Sequence, residues 1–247
     1  MRVLVTRAEP GASAMAERLA ALGHVALLAP MLTVQFHPLR LADTRALQAI
    51  VVTSGNALRA LERSEVLAML RDLPIYAVGA VTAEWARTIG FTDIHVGPGN
   101  AEGLLPVLTR ELDPSAGRIL HLVGETVAMD LKDALERAGF TVDQSIVYRT
   151  DPVAELPAEI IAAFSAGAID AVTLMSRKTA ECYAALIDRH GLAGHIRRVR
   201  HLCLSPAVAA GLAHLGDIDI AIARAPRLEE MLALLNCGAA QSRPNCT

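Results

Sequence analysis

The sequence predicts an α/β protein made of two similar, doubly wound, parallel-sheet lobes. Short apolar runs alternate along the chain with segments of helical periodicity, and the second half repeats the pattern of the first. Strands that are buried on both faces, as in parallel sheets, have continuous apolar runs of this kind. The runs occupy residues 3–6, 25–30, 49–54, 75–79, 93–97, 118–124, 144–148, 171–176, 201–205 and 220–223.

The segments between these runs have the spacing of amphipathic helices. In ASAMAERLAALG (12–23) and AMDLKDALERAG (128–139), apolar residues recur every three or four positions. Each segment ends in glycine, which is typical of a helix C-terminus. A repeated strand–helix–strand order predicts a parallel sheet with helices on both faces.

An internal repeat divides the chain into residues 1–111 and 118–235. VLVTRAE (3–9) corresponds to ILHLVGE (119–125), and the later strands and helices correspond in the same order. A period of this length indicates duplicated domains rather than a solenoid. The repeat leaves open whether each copy folds by itself or the two copies exchange strands.

The composition excludes several classes of protein. Of the 247 residues, 53% are apolar and 20% are charged, so general disorder is excluded. No apolar run approaches the ~18 residues of a membrane span. The net charge of −3 and the aromatic content of 3% argue against nucleic-acid binding by bulk charge or by base stacking.

The cysteines and the chain ends suggest a cytosolic protein. Cys182, Cys203, Cys237 and Cys246 form no CxxC pair, and no histidine cluster accompanies them, which predicts reduced thiols and no metal site. The first residues lack the apolar segment of a signal peptide, so we expect a cytosolic location. Residues 237–247 lack apolar periodicity and are expected to form a mobile tail.

Small polar residues recur where predicted strands end and helices begin. The sequence has no GxSxG, HExxH or GxxxxGK[ST] motif, and GPGNAEG (97–103) does not match the GxGxxG dinucleotide fingerprint because its third glycine is one position late. The junctions that the sequence offers instead are Thr6-Arg7, Thr53 to Asn56, Gly79 to Thr82, Gly97 to Asn100, Gly124 to Thr126, Ser176 to Thr179 and Ser205-Pro206.

These junctions predict a site for a poly-anionic ligand. Each would free N–H groups at a helix N-terminus, and ligands of open α/β sheets bind beyond the carboxyl ends of the strands. Two such lobes facing each other would form an anion-receptive cleft. Arg7, Arg177 and Lys178 are candidates to pair with carboxylates, whereas Glu125 is expected to brace its own loop. For any single junction, the alternative is a helix cap without a ligand.

The three tyrosines and His121 are each predicted either to pack in the core or to serve the site. Tyr76 lies mid-strand and Tyr183 has helical spacing, so both are expected to pack in the core. His121, inside an apolar strand, is expected to be a hydrogen-bonded core histidine. Tyr148 ends a predicted strand, and its phenol is either a packing group or a donor of a proton or hydrogen bond in the cleft.

Several segments, taken in order, resemble the uroporphyrinogen-III synthase family. The resemblance runs over roughly residues 1–235, and the ordered set is more specific than any one motif. The segments are VLVTRAEPGASAMAERLAALGH, VVTSGNAL, YAVGAVTAEWARTIGF, GNAEGLL, ILHLVGE, VYRT and LSPAVAAGLAHLG.

The resemblance implies two α/β lobes joined by a two-stranded ladder. One lobe would comprise residues 1–36 and 152–247, and the other would comprise residues 40–148. The Pro-containing stretches 31–39 and 148–156, which hold equivalent places in the repeat, would be the two crossings between lobes.

The resemblance also implies a reaction and its partners. Linear hydroxymethylbilane, which carries eight carboxylates, would lose its terminal hydroxyl and form a spiro-pyrrolenine. It would then close as uroporphyrinogen III with ring D inverted. Because the uninverted isomer forms without the enzyme, positioning of the two substrate ends is the main expected contribution. No cofactor or metal is implied, and we expect a monomer that receives its substrate from hydroxymethylbilane synthase.

The family motifs identify candidate site residues. Tyr148, in VYRT, matches the family tyrosine and is the candidate catalytic donor. Thr82, Thr53, Ser54 and Ser176 are candidate binding residues rather than nucleophiles, because no base adjoins them. The other candidate substrate contacts, which come from the strand–helix junctions, are Arg7, Arg177, Gly79, Gly99, Asn100, Gly124 and Ser205.

Two other functions remain as alternatives. A non-catalytic, two-lobed binder of an anionic small molecule or tetrapyrrole would have the same cleft, but the presence of Tyr148, Thr82 and Ser54 favours an enzyme. A nucleotide-dependent enzyme would need a phosphate-loop motif, which this sequence lacks.

Overall fold

The computed structural model describes residues 1–41, 43–126 and 129–235. The strands, in chain order, are β1 (Arg2–Val5), β2 (Val25–Leu28), β3 (Leu32–Phe36), β4 (Leu47–Val52), β5 (Ile75–Ala77), β6 (Ile94–Val96), β7 (Arg118–Gly124), β8 (Thr141–Pro152), β9 (Ala171–Leu174), β10 (Arg200–Cys203) and β11 (Asp219–Ile222). The helices are α1 (Gly11–Ala21), α2 (Gly55–Glu62), α3 (Leu67–Leu70), α4 (Ala80–Thr88), α5 (Ala101–Glu111), α6 (Leu131–Arg137), α7 (Ala158–Ser165), α8 (Arg177–Arg189), α9 (Pro206–Ala209) and α10 (Leu228–Ala233), with a 3₁₀ helix at Ala210–Leu215.

The predicted alternation of strands and helices is confirmed. Each apolar run of the sequence coincides with a strand, and the two segments with clear helical spacing coincide with α1 and α6. The α/β fold class with parallel sheets follows directly from this order. The remaining strand, β3, lies in the stretch that was expected to be a crossing.

The chain divides into two compact units. One comprises Met1–Thr33 together with the chain from Asp151 onward, and the other is Val34–Thr150. We call these the terminal unit and the middle unit. That the two units act as lobes on one ligand stays a prediction.

The terminal unit contains a five-stranded sheet in the order β11-β10-β9-β1-β2. All of its strand pairs are parallel. One face packs against α7, α8 and α9 through residues such as Phe164, Tyr183 and Val208. The opposite face packs against α1 and α10 through residues such as Met15 and Met231. This two-sided burial explains why its strands are continuously apolar.

The middle unit contains the sheet β3-β8-β7-β4-β5-β6. Helices α2, α3 and α4 cover one face, where Leu58, Leu70 and Ala83 lie in the core. Helices α5 and α6 cover the other face with Leu104 and Leu135. Because β7, β4, β5 and β6 run parallel, their carboxyl ends meet at one edge of the sheet.

The two copies of the repeat exchange strands. In the middle unit, β6-β5-β4 come from the first copy and β7-β8 from the second. In the terminal unit, the equivalent strands β11-β10-β9 come from the second copy and β1-β2 from the first. Each sheet therefore combines both copies in the same order, which resolves the question that the sequence leaves open.

The chain passes between the units through β3 and β8, which are neighbours in the sheet. The His37 N–H donates to the Val147 carbonyl at 2.9 Å, and the Val153 N–H donates to the Met31 carbonyl at 3.1 Å. Residue numbers fall along one strand as they rise along the other, so the two crossing segments form an antiparallel, two-stranded ladder.

The packing interpretations of two tyrosines are confirmed. Tyr76 is buried and stacks on His95, with ring centroids 4.2 Å apart, and burial raises the pKa of Tyr76 to about 12. Tyr183 is fully buried, and its hydroxyl lies 3.0 Å from Nε2 of His201. Since Nδ1 of His201 faces the Asp219 carbonyl at 3.2 Å, it carries the ring hydrogen, and Nε2 accepts from Tyr183.

Three other expectations concern membrane spans, the thiols and the end of the chain. Within the described residues, no helix is long and apolar enough to cross a membrane. Cys182 and Cys203 are free thiols. The expected mobile tail, residues 237–247, lies outside the described residues.

Candidate active site

A cavity of about 340 Å³ lies at the carboxyl edge of the middle sheet. Six of the predicted catalytic or substrate-binding residues line it: Thr53, Ser54, Gly99, Asn100, Gly124 and Tyr148. The other lining residues are Val78, Ala101, His121, Thr126, Met129 and Leu131. None of these described lining residues carries a carboxylate, so the cavity offers polar groups to an anion without a charge that repels it.

A β-bulge and a glycine determine where Tyr148 lies. Val123 faces Ile146 across the strand pair but Gly124 faces Tyr148, so β8 contains one extra residue, Val147. The bulge places Val147 and Tyr148 against the same core, the one beneath α2 and α4. A Cβ at Gly124 would lie 2.6 Å from Cζ and 2.8 Å from the hydroxyl oxygen of Tyr148. The ring can occupy this place only because residue 124 has no side chain.

The residues that begin α2 and α5 both cap a helix and line the cavity. The Ser54 Oγ accepts a hydrogen bond from the Asn56 N–H at 3.2 Å. The Asn100 Oδ1 accepts one from the Gly103 N–H at 2.7 Å. Both helix N-termini therefore lie at the cavity, where their partial positive charge favours an anion. Thr53, at the end of β4, lines the same cavity.

Glycines bring two loops of this edge together. The Gly99 N–H donates to the Val78 carbonyl at 2.7 Å, and Gly99 has a φ of 107°, which favours glycine. A Cβ at Gly79 would lie 3.2 Å from the Cα of Gly99, so Gly79 supports the approach of the loop rather than lining the cavity. Thr82 lies in the first turn of α4, is 8% exposed, and is outside the cavity lining.

The remaining candidates lie at the carboxyl edge of the terminal sheet. Ser176 caps α8 by accepting from the Thr179 N–H at 3.1 Å, and Arg177 forms an ion pair with Glu181 at 2.8 Å. Ser205 precedes α9 without a side-chain cap bond. These residues belong to the terminal unit, whereas the residues that line the cavity belong to the middle unit.

Arg7 differs from the other basic candidates because none of the described residues pairs with its side chain. Its guanidinium makes no hydrogen bond or ion pair with any described residue, and burial lowers its pKa. It lies against Gly11, the first residue of α1, where a Cβ would be 2.1 Å from Nε. A half-buried, unpaired guanidinium at a strand end suits a carboxylate ligand.

His121 is the lining residue that sequence reasoning missed. It is buried as expected, at 1% exposure, but it is not fully hydrogen-bonded. Nδ1 lies 3.3 Å from the Gln144 amide nitrogen, whereas Nε2 has no partner among the described residues. The prediction that both ring nitrogens are hydrogen-bonded in the core is therefore wrong. His121 pairs with Val51 and Gln144 on the neighbouring strands, and of these two side chains only that of Gln144 can form a hydrogen bond with the ring. The apolar sequence context gave no signal of this.

The fold and the cavity together define an α/β protein with a pocket, free of carboxylates among its described lining residues, at the carboxyl edge of a parallel sheet. Among the described residues, no group of His, Cys, Asp or Glu could hold a metal ion. The family model described as uroporphyrinogen-III synthase HemD matches residues 13–233. The chain therefore belongs to the uroporphyrinogen-III synthase family, which makes it a lyase of tetrapyrrole biosynthesis.

Solved structures share the fold at low sequence identity. The uroporphyrinogen-III synthetase of Helicobacter pylori 26695 has a TM-score of 0.64 and 21% identity, covering 96% of this chain and 99% of that chain. A mutant uroporphyrinogen III synthase of the extremely thermophilic bacterium Thermus thermophilus has a TM-score of 0.52 and 22% identity, covering 96% of this chain and 98% of that chain. No curated protein sequence matches the chain significantly.

The contact between Gly124 and Tyr148 yields a first prediction. Gly124→Ala places a methyl group where the Tyr148 ring lies, so the ring must move. We expect turnover to fall at least about 10-fold, because Tyr148 is the predicted catalytic donor and would be displaced. Steady-state kinetics and urea unfolding of the variant measure the two effects. Gly194→Ala is the matched control, since a Cβ there meets nothing within 4 Å. Wild-type turnover in Gly124→Ala would contradict this account.

The buried His121 predicts a loss of stability in acid. Burial lowers the pKa of His121 to about 4, although the negative charge of Asp130 acts in the opposite direction. In the unfolded chain the pKa keeps its ordinary value of 6.5. The unfolded state therefore binds more protons between these values, and stability falls as the pH decreases from about 6.5 to about 4. From pH 7 to pH 5 the contribution is about 2 kcal/mol.

Urea unfolding at both pH values measures this contribution, and His121→Gln should remove it. Burial also lowers the pKa of His201, so part of the acid sensitivity should remain in the variant. An identical pH dependence in both proteins would show that His121 titrates normally when folded.

Proposed function

We propose that this protein closes linear hydroxymethylbilane to uroporphyrinogen III, with loss of water and inversion of ring D through a spiro intermediate. The observation that supports this most directly is Tyr148, which lines a cavity at two helix N-termini whose described lining residues include no carboxylate. The step is a loss of hydroxyl followed by carbon–carbon bond formation, with no net change in oxidation state. It needs a proton donor and a positioned substrate, and it needs no redox cofactor.

In this proposal, Tyr148 assists departure of the substrate hydroxyl. Its O–H has no hydrogen-bond partner among the described residues, so it is available to donate to the leaving oxygen. The hydroxyl leaves as water, and the substituted carbon of the last pyrrole attacks the resulting azafulvene to form the spiro-pyrrolenine. The bond from that carbon to its original methylene bridge then breaks, the bridge bonds to the free carbon of the same ring, and the proton on that carbon is lost. Stabilising a developing charge with a fixed donor is a common source of catalysis.

The carboxylates of the substrate are held by neutral donors in the middle unit. The proposed contacts are the N–H groups at the starts of α2 and α5, together with Ser54, Thr53, Asn100 and Gly99. Gly79 and Gly124 act by keeping the loop and the Tyr148 ring in place. The other predicted substrate contacts stay predictions: Thr82, Arg7, Ser176, Arg177 and Ser205. Arg7 is the best supported of them, because its guanidinium has no partner in the described part of the chain.

The setting of the reaction is part of the same proposal. We expect a monomer in the cytosol that receives its substrate from hydroxymethylbilane synthase, with no nucleic-acid or membrane partner. The free thiols of Cys182 and Cys203 suit a reducing compartment.

A coupled assay tests the activity. Porphobilinogen and hydroxymethylbilane synthase are incubated with this protein, and the oxidised products are separated by chromatography. Type III uroporphyrin is expected, because the enzyme must direct ring inversion, whereas type I forms without it. If folded protein yields only type I but binds the tetrapyrrole, the non-catalytic binder replaces this proposal.

Tyr148→Phe tests the catalytic role. Removing the donor should lower kcat by about 10²-fold, the lower end for general acid catalysis, and should change stability little. The measurements are single-turnover rates in the same assay and urea unfolding. Tyr76→Phe is the matched control, since Tyr76 is buried in the same sheet but does not line the cavity. Equal losses of activity and stability in Tyr148→Phe would remove its catalytic role.

Gly11→Ala tests the contact proposed for Arg7. The new methyl group would lie 2.4 Å from Cζ of Arg7, so the guanidinium must move, while alanine favours the start of α1. We expect KM to rise about 10-fold, because a charge-assisted hydrogen bond to the substrate would be lost. The free energy of unfolding should not decrease. Arg7→Ala should raise KM by a similar factor. An unchanged KM in both variants would exclude Arg7 as a substrate contact.

A further inference from the structure

His121 is the one residue of the cavity lining whose buried polar atom has no partner in the described chain. It lies in the middle of β7 and is 1% exposed, yet it lines the cavity of Tyr148. Its Nδ1 faces Gln144 on the neighbouring strand, and Gln144 does not line the cavity. Nε2 is buried and has no hydrogen-bond partner in the described chain, so a molecule bound in the cavity that His121 lines is the candidate acceptor for it.

The neighbours of His121 define which nitrogen carries the hydrogen. Burial lowers its pKa to about 4, so the ring is neutral at pH 7 and has one donor and one acceptor. The Gln144 amide group donates to Nδ1 at 3.3 Å. Nε2 is then the N–H donor, and it has no acceptor among the described residues. A buried donor without an acceptor is destabilising, and binding of an acceptor would remove that cost.

The internal repeat shows that the fold itself does not require this histidine. In the alignment of VLVTRAE with ILHLVGE, His121 corresponds to Val5 of β1. Val5 pairs with Leu28, just as His121 pairs with Gln144. The same strand position is therefore filled by an apolar pair in one sheet and by a polar pair in the other. The polar pair is the one that lies at the cavity.

We propose that the Nε2–H of His121 donates a hydrogen bond to a carboxylate of the bound tetrapyrrole. This rests on the proposed function. The acceptors of the linear substrate are its carboxylates and its terminal hydroxyl, and Tyr148 serves the hydroxyl. The cavity supplies no carboxylate of its own from the described residues, and the starts of α2 and α5 favour an anion there. Met129 and Leu131 line the same cavity and suit the methylene groups that carry the carboxylate.

Two substitutions of His121 distinguish the role of Nε2, the proposed donor, from that of Nδ1, which contacts Gln144. Glutamine places its amide nitrogen near the position of Nε2, so His121→Gln keeps the donor. Asparagine reaches only to the position of Nδ1, so His121→Asn keeps the contact to Gln144 and loses the donor. A third variant, His121→Val with Gln144→Leu, copies the pair of the duplicate strand and gives a folded reference without either polar group.

The probe is uroporphyrinogen III, which has the carboxylates but not the hydroxyl. Its Kd is measured anaerobically by calorimetry, alongside kcat and KM in the coupled assay. We expect His121→Asn and the double variant to weaken Kd and raise KM about 10-fold, with kcat within about twofold. His121→Gln should bind within about threefold of the wild type.

Three results would overturn the inference. One is an unchanged Kd in His121→Asn and in the double variant. A second is a fall in kcat with Kd unchanged, which would place His121 at the departing hydroxyl. The third comes from the unsubstituted protein: ¹⁵N spectra of its histidines should show hydrogen on Nε2 of His121, with a shift on adding uroporphyrinogen III, and hydrogen on Nδ1 would exclude this donor.

Failure of the proposed function is distinguishable from failure of this inference. If wild-type protein yields only type I isomer, the synthase activity fails, while the Kd comparison still decides the role of His121. If type III forms and the three variants bind like the wild type, the activity stands and His121 is only a packing residue.

Discussion

The absence of a side chain at Gly124 is the constraint on which the site of the middle unit depends. The Tyr148 ring lies where a Cβ of residue 124 would be, with only 2.6 Å from that position to Cζ. The extra residue Val147 turns the ring toward the core beneath α2 and α4. The bulge and the glycine act together, because a regular strand would direct the side chain to the other face of the sheet. Strand register thus determines the position of the phenol.

The strands and helices could be predicted from the sequence because burial on both faces leaves a local pattern. The apolar runs coincide with strands, and the strand ends at Ser54 and Asn100 coincide with helix caps. Strand exchange could not be predicted, since the pairing of β1 with β9 rather than β4 joins residues far apart in the chain. A repeat in sequence is compatible with either pairing.

Some features of the site could not be predicted from the sequence. All of them arise from contacts between neighbouring strands. The run QSIVY has the same apolar pattern with or without a bulge, so Val147 gives no signal as an extra residue. The sequence predicts that His121 is a core residue, because its neighbours along the chain are apolar. Its missing partner becomes visible only when Val51 and Gln144 are placed beside it. Tyr148 could be identified from its motif, but its dependence on Gly124 could not.

The capping and binding interpretations of the strand-end residues do not exclude each other. The caps at Ser54 and Asn100 use their oxygens as acceptors for helix N–H groups. The hydroxyl hydrogen of a serine and the amide hydrogens of an asparagine remain as donors. An anion needs donors, so one side chain can complete a helix with its acceptor and hold a carboxylate with its donor. This explains why such junctions are favourable at an anion site.

The distinction between binding and catalysis follows from what the reaction changes. Substrate and product carry the same carboxylates, so contacts to them, including that proposed for His121, bind both with similar strength. Such uniform binding positions the chain ends but does not lower the barrier by itself. The hydroxyl is the group that the substrate loses, and Tyr148 is the lining residue proposed to act on it. Rate acceleration is therefore expected to depend on Tyr148 and Gly124, and isomer selection on the carboxylate contacts that hold the two ends of the substrate.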